Sequence, residues 1–188
     1  MLLVGQATAQ EEPSAVAPDA EQLAAMEAWA NAGRVGEAHA GLAEQTGQWR
    51  AEMEMWMAPG APPVEATYEV TRTMELEGRV LHEVWTGEFM GRAFRGIGRT
   101  GYDNTTEQYW STWIDNMSTG LMIAHGKQES DGSIHMTGDY VDPVSTETVA
   151  TRSVWSFPDA DSERMESFET RGGEEFMNMR MALTRIQE

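Results

Sequence analysis

The chain has 188 residues, no cysteine, and 31 acidic against 13 basic side chains, for a formal net charge of -18. The missing cysteine excludes disulfides, thiol catalysis and Cys-ligated zinc, and so acidic a surface repels phosphate backbones and anionic headgroups, which argues against nucleic acid or a membrane surface as partner. The length suits one domain with a short extension, and no run approaches the ~20 apolar residues of a membrane-spanning helix.

In chain order, Leu2-Leu3-Val4 followed by Ala7-Thr8-Ala9 has the form of the end of a secretory signal, with cleavage near Ala9. Residues 1–18 therefore read as a partial signal peptide or a disordered leader. The first reading makes the protein periplasmic or secreted, the second leaves it cytoplasmic. Asp19 is placed to cap a helix to about Asn31, and a second short helix is expected over Gly36–Thr46, ending at Gly47. Residues 19–46 would then form a helical cap.

From Gly47 onward the pattern changes to a period of two. In Glu65–Leu76 the even positions carry Ala66, Tyr68, Val70, Arg72, Met74 and Leu76, and the odd positions carry Glu or Thr. One apolar and one polar face is what a strand needs between a core and water. The same alternation places further strands at Gln48–Ala58, Arg79–Phe89, Arg92–Gly101, Thr106–Asp115, Thr119–Gln128, Ser133–Val141, Glu147–Phe157, Ser162–Arg171 and Glu174–Ile186, with Gly-, Asp- and Pro-rich turns between them. Ten strands in tight succession predict an all-β fold, an up-and-down antiparallel barrel over residues 47–188, since closure removes both sheet edges. A sandwich of two sheets is the alternative.

Parity assigns the interior. Trp49, Met53, Met55 and Met57 share a face of the first strand, and Met177, Met179, Met181, Leu183 and Arg185 share one of the last. Ile134, Met136 and Tyr140, and Val149, Ser153, Trp155 and Phe157, belong inside as well. Thioethers repack around ligands of variable shape; a Met-x-Met-x-Met run can also bind copper(I), but on a strand face buried against the opposite wall no metal site is expected. Arg72, His125 and Arg185 break the apolar parity, and Asp115 joins them if Trp113 points inward. A buried guanidinium needs a partner, which for Arg72 would be Glu83 or Asp115.

Glu37-Ala38-His39, Gly47-Gln48-Trp49, Pro59-Gly60-Ala61-Pro62-Pro63, Gly96-Ile97-Gly98, Gly101-Tyr102-Asp103-Asn104 and Trp113-Ile114-Asp115 stand in an order that resembles the bacterial family known as domain of unknown function 1579, from about Ala28 to the C-terminus. The resemblance implies a lipocalin-like (calycin-like) barrel and no activity. It also implies a structural latch in which Trp49 of the first strand packs under Arg185 of the last.

The expected function is non-catalytic: a carrier or sensor of a small hydrophobic or amphipathic ligand, with Arg72, Trp85, Trp113, Asp115, His125, Met53, Met55, Trp155 and Tyr140 as candidate interior contacts. No cofactor is called for on this reading. The alternatives are a hydrolase-like or other small-molecule enzyme using Asp115, His125 and Arg72, or a barrel that holds haem through His125.

Overall fold

The computed structural model describes residues 17–187; the cleavage pattern at Ala7–Ala9 lies outside them. Among these residues two helices, α1 (Ala20–Ala32) and α2 (Glu37–Glu44), precede ten strands: β1 (Gly47–Met55), β2 (Val64–Glu75), β3 (Val80–Phe89), β4 (Arg92–Asp103), β5 (Gln108–Asp115), β6 (Met122–Gln128), β7 (Ile134–Val141), β8 (Thr148–Asp159), β9 (Ser162–Arg171) and β10 (Glu174–Arg185). The described residues divide into two compact units, up to Gly33 and from Arg34 onward. In the first, the Asp19 carboxylate accepts from the Gln22 N–H at 2.9 Å while the Gln22 side chain accepts from the Asp19 N–H at 3.0 Å. This reciprocal box satisfies two of the orphan donors at the start of α1.

In the second unit every strand pairs antiparallel with its sequence neighbour, and β1 pairs with β10 to close a barrel. Two-residue turns allow the tight succession: Met90-Gly91 and Gly172-Gly173 each take positive φ at both positions, the twist that matches two antiparallel strands. Closure leaves no edge N–H or C=O row unpaired, and the alternation follows. Tyr68, Val70 and Arg72 of β2 are buried between exposed Thr67, Glu69, Thr71 and Thr73.

The interior has two ends of different character. At the base, α2 lies against β3 and β4, and Leu42 enters a cluster with Leu81, Tyr109, Ile134 and Met136. His39 is buried beside it, its ring edge-on to Tyr102 at 6.0 Å and its Nδ1 accepting from the Gly36 N–H at 3.2 Å. Trp49 donates its indole N–H to the Gln45 carbonyl at 3.0 Å, and the Arg185 guanidinium lies over the same ring, 4.2 Å from its centroid. Arg185 also donates to the Glu44 and Thr46 carbonyls. Those are the unsatisfied acceptors at the end of α2, where a cation is favoured. Around Trp49 pack Ala51, Met53, Val70, Trp85 and Leu183.

Three positions depart from the parity reading. Met57 lies beyond the end of β1 and is exposed. A bulge between Met177 and Met179 shifts the β9–β10 register by one, which turns Met177 off the inner face, because an extra residue reverses every side chain beyond it. His125 is on the outer wall, cross-strand from Trp110 and Thr137.

Trp49 joins the helix end, the final strand and the core. Trp49→Ala is expected to cost about 3–5 kcal/mol, read from the urea midpoint at constant slope; a change near zero would show that the base is held elsewhere.

Candidate functional site

The base of the lumen is closed by an ionic cluster. Arg72 of β2, Glu83 of β3 and Glu163 of β9 are 2%, 8% and 3% exposed. Arg72 donates from Nε to Glu83 Oε1 at 2.6 Å and from Nη1 to both Glu163 oxygens at 2.7 Å, and its guanidinium also lies over Trp49 at 5.2 Å. Burial works to lower the Arg72 guanidinium, and the two glutamates outweigh it and raise it. Burial raises the Glu163 carboxyl, with Arg72 opposing. Of the two partners expected for Arg72, Glu83 is present and Asp115 is not. Glu163 takes the second place, a contact 91 residues away in sequence.

The opposite end is the mouth. In a closed barrel an inward side chain that keeps accessible surface presents it to the lumen or its rim. Met55, Phe89, Phe94, Trp113, Thr151, Ser153, Trp155, Met179 and Met181 are inward and half-buried, whereas Met53 and Trp85 are buried. On the β2–β5 wall, Tyr68, Trp85, Trp113 and Phe94 form a ring of aromatic contacts at centroid distances of 4.9–6.3 Å. Glycines seat this wall: the Trp113 ring lies over Gly96, where a Cβ would fall inside the indole. Outside, Trp110 covers Gly101 in the same way. The two tryptophans thus occupy opposite faces of β5, which settles the parity of this strand: Trp113 and Asp115 point in, Trp110 and Ile114 out. The wall facing these rings carries small groups, Ala124 and Gly138 on β6 and β7 and Thr151, Ser153 and Ser167 on β8 and β9.

Polar groups gather towards the mouth. Asp115 accepts the Trp113 indole N–H at 2.9 Å and the backbone N–H of Met117 and Ser118 at 2.8 and 3.2 Å. Tyr68 is pushed up to about 12, by burial first and then by Asp115. Across the lumen, Glu169 accepts from Tyr140 at 2.9 Å, Arg171 at 2.8 Å and Asn178 at 2.8 Å. Arg171 also donates to Asp142 and to the Tyr140 hydroxyl, both at 2.7 Å. Burial, then Glu169, pushes Tyr140 up to about 12. Two buried polar atoms inside this barrel have no partner, Trp85 Nε1 and Asn178 Oδ1.

The structure therefore brings Trp85, Trp113, Asp115, Met53, Met55, Trp155 and Tyr140 into one lumen. It places Arg72 with Trp49 and Arg185 in the base, and excludes His125. That histidine lines a shallow outer concavity with Leu121, Ile123, Thr137 and Asp139. Its inward assignment fails because β6 turns Ala124 and Gly126, with Met122 at the mouth end, to the lumen, and Ile123 and His125 to solvent. An Asp115–His125–Arg72 catalytic group has no geometric basis, since its members sit at the mouth, outside and in the base. His125 likewise cannot act as an axial ligand within the barrel. Glu163, Glu169 and Asn178 were not singled out from the sequence. The first two lie on the inward parity of β9 and were legible there; Asn178 depends on the bulge.

Residues 34–185 match the model of a family described as "Protein of unknown function (DUF1579)". Among proteins of curated function, none matches the sequence. Among solved structures, the S-type phycobiliprotein lyase CPES from Guillardia theta superposes with a TM-score of 0.61 at 12% identity, over 81% of this chain and 94% of that one. The protein Rv2717c from M. tuberculosis does so with a TM-score of 0.57 at 13% identity, over 82% and 100%. At such identities the likeness is one of fold.

Two tests address the base. Arg72→Leu strands two buried carboxylates and is expected to cost about 3–5 kcal/mol by urea denaturation; a neutral result would mean that the glutamates are solvated. Folding holds the Glu163 proton more tightly than the unfolded chain, whose value is near 4.5. Its contribution to stability is complete below that value and is lost as pH rises through the raised folded one. Glu163→Gln should thus flatten the fall in stability above about pH 4.5, followed as the urea midpoint against pH. An unchanged slope would place the titration elsewhere.

Proposed function

The chain belongs to the DUF1579 family, and because that family description carries no activity, we propose from the lumen itself that the protein is a non-catalytic carrier or sensor of a small hydrophobic or amphipathic ligand held within the barrel. The carrying observation is the contrast between the two ends. The base is covered by α2, Trp49 and the Arg72 cluster, with Met74, Tyr102 and Phe157 partly buried beside them, while the mouth half presents the half-buried aromatic and thioether side chains named above. Apolar walls with a few fixed polar groups are the usual composition of a small-molecule site.

We place the ligand slot between the aromatic wall and the hydroxyls of Thr151, Ser153 and Ser167. Phe94 and Trp113 offer flat faces, and Met55, Met179 and Met181 offer side chains that adjust their shape. Two unpartnered polar atoms in an otherwise satisfied interior fit a site that a ligand completes.

The test is binding of the neutral fluorophore N-phenyl-1-naphthylamine. The protein is expected to bind it with energy transfer from tryptophan, and Ser153→Phe, which fills the slot, is expected to weaken binding about tenfold or more. Binding that survives lumen filling, or no binding at all, would overturn the reading.

A further inference from the structure

The charges that face the lumen are unequal. Three guanidiniums on the inward parity, Arg72, Arg171 and Arg185, meet five carboxylates, Glu83 and Glu163 at the base and Glu169, Asp142 and Asp115 towards the mouth, and Arg185 is further paired with Asp161. On the same parity at the rim, Arg92 and Glu174 are exposed and offset one another. The surplus stays negative even with Glu163 protonated. Below the rim all three are already engaged: Arg72 is held by both glutamates, Arg171 donates to Glu169, Asp142 and Tyr140, and Arg185 donates to Asp161 and to the Glu44 and Ala160 carbonyls. Past the rim, a ligand carboxylate or sulfate would meet a surplus of its own sign.

The unfilled acceptor gives a second, independent indication. The Asn178 amide nitrogen donates to Glu169 at 2.8 Å. A carboxylate only accepts, so the amide orientation is fixed and Oδ1 is the atom left buried without a partner. That oxygen needs a donor. Trp85 Nε1 is the complementary unfilled donor, but it is neutral and does not offset the desolvation of an anion. Third, the half-buried faces of Trp113 and Phe94 carry the negative side of the ring quadrupole, which attracts ammonium and guanidinium groups.

We infer that the ligand is a cationic amphiphile, an ammonium or guanidinium head on an apolar tail, and not an anion of the fatty-acid type. The head lies among the mouth acceptors, Asp115, Glu169 and Asn178 Oδ1, and the tail runs along the methionine and tryptophan walls towards Met53. The net charge of -18 acts in the same direction, since it concentrates cations at the mouth and repels anions, an effect that salt weakens. This inference rests on the lumenal-binding reading above and names the chemistry of its ligand.

The experiment compares three probes of equal tail length below their micelle thresholds: dodecyltrimethylammonium, dodecyl maltoside and dodecanoate, each displacing N-phenyl-1-naphthylamine from the full chain. The ammonium is expected to bind about tenfold tighter than the maltoside, and dodecanoate weaker than both. Asp115→Asn should narrow the ammonium-to-maltoside ratio about threefold, a ratio that general loosening of the barrel would not move. Glu169→Gln is the second variant should Asp115→Asn fail to fold. Equal binding of all three probes, or preference for dodecanoate, overturns the cationic inference and leaves the lumenal reading standing. Failure of every probe, including the neutral fluorophore, overturns both.

Discussion

The interior is organised by one guanidinium. Arg72 sits 2% exposed on β2, and its partners are on the adjacent β3 and on β9, which β1 and β10 separate from β2 around the barrel. The pair therefore spans the lumen and does not merely run along a wall. A buried charge of this kind adds little net stability compared with apolar packing, yet removing one partner is costly. Its effect is geometric: it fixes which strands face one another at the base, where Trp49 and Leu42 pack beside it.

The proposed site follows from the difference between the two ends. Above the cluster, β2–β5 present a wall of rings, and β6–β9 place the small or hydroxylated Ala124, Gly138, Thr151, Ser153 and Ser167 among larger inward side chains such as Trp155 and Tyr140. Mouth polarity is largely self-satisfied: Tyr140, Glu169, Arg171, Asp142 and Asn178 hold one another, and Asp115 orients Trp113 while closing the turn after β5. The groups left over after that accounting are an acceptor, a neutral donor and a surplus of negative charge, and the proposed ligand chemistry rests on them.

Much of this was legible in the sequence where side chains alternate in size and polarity. Trp49, Ala51 and Met53 in β1, Tyr68, Val70 and Arg72 in β2, and Ile134 and Met136 in β7 declared their face because large apolar residues sat two apart. The reading failed where that rule is inverted. In β6 the large residues Ile123 and His125 face solvent, while Ala124 and Gly126 line the lumen. In β5 both parities carry a tryptophan, and only the glycines of the neighbouring strand, Gly96 inside and Gly101 outside, show which face each ring covers. In β10 a bulge reverses the parity at Met177, and a bulge leaves no mark in an alternating pattern until the partner strand is known.

By itself, then, the sequence determined the number and order of strands, the turns and the acidic exterior, and favoured closure of the sheet over a sandwich, which the β1–β10 pairing decided. Each of these follows from local sterics, a period of two and the need to satisfy edge hydrogen bonds. Only the tertiary structure decided that Glu163 meets Arg72, that α2 packs against the base, that His125 lies outside, and that an unpartnered acceptor and a negative surplus lie inside. Those facts depend on which residues closure brings across the lumen, and the register that decides it is set jointly by all ten strands.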